Sequence, residues 1–177
     1  ALGTDQVAAL GTDDIRAMVT AQVAALSSAQ VGVLAPSQIA ALETADLRAL
    51  STSALQGLST EQLGALSGTQ LAALSTAQVT ALRPVQIGSL ETADLNALTT
   101  AQFAAIRTAQ VVALSTEQVA ALETADLRAL SPAALNAMTP DQMNALTAVQ
   151  RAALSTAQIA AMSTAQIAAL ATQDLNA

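Results

Sequence analysis

Large apolar residues recur along this chain at alternating intervals of three and five, and small or polar residues fill the spaces between them. Cutting the sequence every eight residues from Gly3 aligns the pattern with no insertion or deletion: GTDQVAAL, GTDDIRAM, VTAQVAAL, and so on to ATQDLNA. Residues 1–177 are therefore one tandem array of twenty-two octads, the last lacking its eighth residue. With positions labelled a to h, h is always large and apolar (Leu10, Met18, through Ile106 to Leu170). Position e is apolar in every octad (Val7, Ile15, Phe103, Met143) except the one carrying Arg151, and g is nearly always Ala. Position d is Gln or Asp apart from Ala54 and Ala134, and b is Thr in fifteen octads.

A continuous helix does not fit this pattern. Apolar residues averaging one in four would drift around a helix that turns once in about 3.6 residues. Four prolines (Pro36, Pro84, Pro132, Pro140) would interrupt it at about 3 kcal/mol each. Strands fail too, because nothing alternates with period two and Ala, Gln and Leu favour helix. A helix that restarts in every octad fits each position. Position a becomes the N-cap, where twelve residues are Ser or Thr and two are Gly. Position b becomes the first helical residue, the one site that welcomes Pro, and all four prolines fall there. The Gln at d then completes a capping box with Ser or Thr at a, and the h and e residues flanking the cap form a hydrophobic staple. Leu74-Ser75-Thr76-Ala77-Gln78-Val79 is one such start.

Each unit is expected to be a helix of about seven residues, too short to be stable alone. Stability must come from stacking e and h side chains between neighbouring units, with Ala at g allowing close approach. The expected fold is an all-α solenoid of very short helices, one per octad. Asp replaces Gln at d in octads of one parity (Asp14, Asp46, Asp94, Asp126, Asp174), so two helices per coil are expected, with these carboxylates on one side.

Composition narrows the function more than the fold. The chain has no His, Cys, Trp, Tyr or Lys and only one aromatic residue, Phe103. The usual nucleophiles and general bases are missing, and no Gly-rich phosphate loop or nucleophile elbow is present. No catalytic, cofactor-binding or metal-binding residue is assigned, and an enzyme is not expected. Six Arg against thirteen acids, a net charge of −7, disfavour nucleic acid and anionic membrane surfaces as partners. Every octad carries polar residues, which excludes membrane insertion. The first residues show no basic region followed by an apolar one, so no N-terminal signal peptide is read there.

The remaining candidates for chemistry have plain readings. The pairs Glu43 with Asp46, Glu91 with Asp94 and Glu123 with Asp126 offer two carboxylates across one helical turn, against the six to eight oxygens calcium takes. They read as acids favourable to a helix N-terminus. Arg16, Arg48 and Arg128 lie two residues beyond an Asp and do not face it on a helix, so any pairing is expected between octads. Arg151 is expected to snorkel, with Val149 supplying the missing apolar contact. Phe103, Met18, Met138, Met143 and Met162 all lie at e or h and read as core.

The segment Leu74-Ser75-Thr76-Ala77-Gln78-Val79-Thr80-Ala81-Leu82 resembles the octapeptide tracts of very large secreted or surface repeat proteins of Gram-negative bacteria, and the resemblance covers the whole chain. It implies a stalk, spacer, filament-forming or adhesive role outside the cell or on its surface. Separately, Met138-Thr139-Pro140-Asp141-Gln142-Met143 is similar to the opening of transcription-activator-like effector repeats. An octad has no room for their base-reading loop, and the chain is acidic, which excludes DNA reading. The expected function is thus a non-enzymatic structural segment. The alternative is a binding module that recognises protein, glycan or ice through the variable a, c and f positions or the Thr row at b. The array also begins and ends within an octad, and self-association through its end faces is expected.

Overall fold

A computed structural model describes residues 2–174, with side chains to Leu170. Among these residues there are twenty-one helices and no strands, numbered here from α1 (Thr4–Ala8) to α21 (Thr164–Asp174). Every helix starts at a b position, and each of the four prolines is a first helical residue. The N-cap residues are extended, as in α10 (Thr76–Ala81), where Ser75 has φ −69° and ψ 156°. The Ser75 hydroxyl accepts the Gln78 N–H at 3.2 Å while the Gln78 side chain accepts the Ser75 N–H at 2.9 Å, the capping box expected from the sequence.

α1 to α20 are shorter than expected, five or six residues instead of seven, or about 8 Å. The reason lies at h, which is already extended: Leu82 has φ −56° and ψ 141°. Its N–H still closes the last turn on the Val79 carbonyl at 3.2 Å. Two successive extended residues, h and the next a, therefore separate one helix from the next. α21 alone runs on to Asp174, through Ala171 at position a.

The coil differs from the two-helix expectation. Helices pack on the third helix along, as α10 does on α13 (Thr100–Ala105), α13 on α16 (Thr124–Ala129) and α16 on α19 (Ala148–Ala153). Two antiparallel helices per coil would need a sharp reversal, which helix ends commonly make through a residue with positive φ. None of the described residues has positive φ. The two-residue extended link deflects the chain without reversing it, so more than two helices are needed to close a turn. The parity of the Asp octads consequently gathers nothing. Asp46 and Asp94, on α6 (Thr44–Ala49) and α12 (Thr92–Asn96), share one stack of helices, whereas Asp14 and Asp126 lie on the other two. The Asp174 side chain lies outside the described residues.

The e and h side chains point inward and form one continuous core from Val7 to Met162. Phe103, Met143 and most of the Leu, Ile and Val at e have no exposed surface, and Met138 and Met162 are buried at h. Close stacking also fixes some small residues. A Cβ on Gly88, the last residue of α11 (Pro84–Gly88), would lie far inside van der Waals contact with the Ala113 carbonyl oxygen of the coil above. A Cβ on Gly64, the last residue of α8 (Thr60–Gly64) and also at f, would meet nothing within 4 Å. Helix propensity alone favours Ala at both sites by up to about 1 kcal/mol. Gly64→Ala is therefore expected to raise stability by about 0.5–1 kcal/mol, and Gly88→Ala to lower it by about 2 kcal/mol through overpacking. Urea denaturation followed by circular dichroism distinguishes the two signs.

Candidate functional site: a glutamine ladder between coils

The residue that joins one coil to another is the d glutamine. As third residue of its helix it uses Oε1 to accept the N-cap N–H, which leaves Nε2 pointing away from the helix towards the preceding coil. There it donates to backbone carbonyls. Gln78 Nε2 lies 2.9 Å from the Leu50 carbonyl and 2.8 Å from that of Leu47. Gln102 repeats this on Leu74 at 2.7 Å and Leu71 at 3.0 Å, and Gln142 on Leu114 at 2.7 Å and Val111 at 2.8 Å. The acceptors are the h and e residues 28 and 31 positions earlier, the end of the helix four octads back. With helix packing at three octads and this bond at four, a full turn takes between three and four helices. From Gln30 to Gln166 every d glutamine makes the rung to the h carbonyl.

This arrangement uses both ends of a primary amide. Buried carbonyls at the end of a short helix need donors, and the N-cap N–H needs an acceptor. Glutamine supplies both, whereas glutamate can only accept when ionised. The ladder role escaped the sequence reading, which explained the glutamine fully as a capping box. The missed signal was the absence of Glu at d in every octad, although a capping box takes Glu as readily as Gln. A second, more exposed set of bonds runs forward from f: Gln56, Thr80 and Asn96 donate to the carbonyls of Ala81, Ala105 and Ala121 at 2.8, 3.2 and 2.7 Å.

The acidic octads lack the rung. Glu43, Glu91 and Glu123 sit exposed at N-caps, with no side-chain cap bond. Their partners lie in the first helical turn, as expected, but are withdrawn from solvent. Asp46 and Asp126 are buried and Asp94 is half-buried. Burial, helped by the charge of Glu123, pushes the Asp126 carboxyl up to about 6, and burial and Glu91 raise that of Asp94. Exposed Glu117 shifts the other way, lowered by its own backbone N–H and by the Ser115 and Thr116 hydroxyls. Among the described residues no three His, Cys, Asp or Glu side chains come together as metal ligands.

The arginines also depart from expectation. Arg16 pairs within its own octad, with Asp13 at 3.0 Å, on the exposed surface. Arg48 and Arg128 are exposed and make no ion pair among the described residues. Arg151 is partly buried and donates from Nη1 to the Leu146 carbonyl at 2.5 Å. Val149 does not replace its apolar contact, being 70% exposed. Arg83 and Arg107, at a, donate to the Leu58 and Leu82 carbonyls at 3.0 and 3.4 Å, beside the rungs of Gln86 and Gln110. A cavity of about 480 Å³ opens at the first coil, lined by Leu2, Leu10, Met18, Leu26, Asp14 and Gln22. Another of about 340 Å³ opens at the other end, among Arg151, Leu154, Ile159, Met162, Ile167 and Leu170. Ile159 and Ile167 are about half exposed there, unlike the e residues within the array.

The ALTTAQ repeat family model matches the chain four times, over residues 7–44, 39–76, 87–124 and 119–156. The chain belongs to the ALTTAQ repeat family. No curated protein is significantly similar to it. Each matched span runs from an e residue to a b residue and contains a complete ladder interval, such as Leu42 to Gln70 in the second. The hexapeptide ALTTAQ itself stands at Ala97–Gln102. In the ALTTAQ fold it crosses a helix junction: Leu98 is core, Thr99 the N-cap, Thr100 the first helical residue and Gln102 the rung. The family motif is thus the cap, the core residue and the cross-coil link in one stretch of chain.

Proposed function

We propose that this ALTTAQ array is a non-enzymatic structural segment of a bacterial extracellular or cell-surface protein, a spacer or stalk that holds other parts at a fixed separation. The observation that carries the reading is the glutamine ladder. Glutamine, which holds d in fifteen of the twenty-two octads, serves coil-to-coil cohesion, and from Gln38 to Gln166 it is buried where no ligand reaches it. A periodic scaffold of this kind sets length and stiffness in proportion to octad number, which is the physical requirement of a spacer.

End-to-end self-association, through the end faces of the described array, belongs to the same proposal. Both carry apolar e and h side chains of the type that pack coil on coil inside the array, and head-to-tail stacking would cover them. Light scattering over a concentration series is expected to show end-to-end oligomers, and a particle that stays monomeric at high concentration removes that part of the reading. For location, an antibody raised against this segment should label intact cells of the source organism without permeabilisation. Labelling that requires permeabilisation overturns the extracellular assignment.

A further inference from the structure

We propose that the coil has two built-in hinges, one at Asp46 and Ala54 and one at Asp126 and Ala134, and that protonation of Asp126 tightens the second. At each place two consecutive rungs are missing. The flanking rungs at Gln38 and Gln62, and at Gln118 and Gln142, are intact. The h carbonyls 28 residues earlier, those of Met18, Leu26, Leu98 and Ile106, receive no side-chain donor among the described residues. Ala54 and Ala134 are fully buried, so the space at the rung is filled by methyl groups that bond nothing.

The helices themselves persist at these points. Ser51 and Ser131 still cap their helices, accepting the Ala54 and Ala134 N–H groups at 3.1 Å. What is lost is the hydrogen-bonded rung alone, while α16 still packs on α13, which distinguishes a hinge from an unfolded patch. The two places are ten octads apart and share the octad ETADLRAL followed by an Ala-bearing octad. Asp94, by contrast, stands alone between the intact rungs of Gln86 and Gln102.

Asp126 adds a dependence on pH. An ionised carboxylate offers the carbonyls of the earlier coil no proton, whereas a protonated carboxyl is a donor. The helices packed on α16 leave this group largely to itself. α13 carries no titratable side chain, α19 carries Arg151, and α12, at the far side of the missing rung, carries Glu91 and Asp94. Glu123 and Arg128 lie on its own octad, and Glu123 favours the protonated form. Because the folded carboxyl sits above its unfolded value of 3.8, the folded state holds the proton more tightly. The stabilisation is present below that value and is lost as pH rises through about 6.

The chain carries its own reporters, since Arg48 and Arg128 are exposed trypsin sites two residues beyond each hinge carboxylate. Under native conditions at pH 7.5, Asp126→Gln is expected to slow cleavage after Arg128 at least tenfold and to leave cleavage after Arg48 unchanged. Asp46→Gln should do the converse, and Ala134→Gln should repeat the Arg128 effect by restoring the neighbouring rung. Backbone hydrogen exchange around residues 124–138, corrected for intrinsic rates, should be slower at pH 5 than at pH 7.5 in the native sequence, and the difference should vanish in Asp126→Gln. Unchanged cleavage after both arginines in all three variants, or exchange protection that is insensitive to Asp126, overturns the proposal.

Discussion

Replacing Gln102 by alanine is expected to lower the stability of the array by about 3 kcal/mol, although alanine is the better helix former. The native side chain is 2% exposed and makes bonds that alanine cannot. It accepts the Thr99 N–H at 2.6 Å and donates to the Leu74 and Leu71 carbonyls at 2.7 and 3.0 Å. Each bond contributes about 1 kcal/mol net, and removing the donor leaves a buried carbonyl without a partner, which costs about 1–3 kcal/mol. The helix start itself survives, because Thr99 Oγ1 still accepts the Gln102 N–H at 3.2 Å. Gln102→Glu separates the two roles. It keeps the acceptor for Thr99 and loses the donor, and at neutral pH it turns a charge towards carbonyl oxygens. The Glu variant is therefore expected to be at least as unstable as the Ala variant at pH 7.5 and to recover towards pH 5. Urea midpoints by circular dichroism at the two pH values test this. Equal midpoints for Gln102→Ala and the native chain would remove the ladder as a source of cohesion.

The same residue shows how far this sequence can be read. Thr or Ser at a, Pro at b, and Leu at h are local signals, and each acts within one octad. The helix starts at Thr76 and Pro84, the buried pair of Leu74 and Val79, and the cap of Ser75 on Gln78 were all legible for that reason. The coil was not. A bond from a d residue to an h residue is spelled identically whether the two lie one, two or four octads apart, because every octad offers the same letters. An exact repeat erases the register information that irregular sequences carry. Three-dimensional closure decides it, through the two extended residues at h and a that set the deflection between helices. The burial of Asp126 was illegible for the same cause. Its octad, ETADLRAL, looks like a solvated helix start until the coil places another helix over the d position.

Phe103→Ala is expected to be the most damaging single substitution in the core, at about 3–5 kcal/mol. Phe103 is the largest fully buried side chain, in a position that the other octads, apart from the one with Arg151, fill with Leu, Ile, Val or Met. Truncation removes apolar surface and leaves a cavity, and the extended links on either side limit how far α13 can collapse into it. Phe103→Leu keeps a side chain that the same position accepts in Leu95 and Leu127, and should cost less than about 1.5 kcal/mol. The consequence in an array goes beyond the total. Each helix touches its neighbours in the coils before and after, so stability is a sum of local units and the interfaces between them. α13 lies between α10 and α16 in one stack. Weakening it uncouples the octads before Thr99 from those after Ile106, and the single unfolding transition should divide into two. Hydrogen exchange of Phe103→Ala is then expected to show lost protection centred on residues 100–105 and spreading to α10 and α16 before the rest of the chain. Loss of protection spread evenly over all octads would instead mean that the array unfolds as one unit, with coil-to-coil coupling stronger than the ladder and the e and h contacts account for.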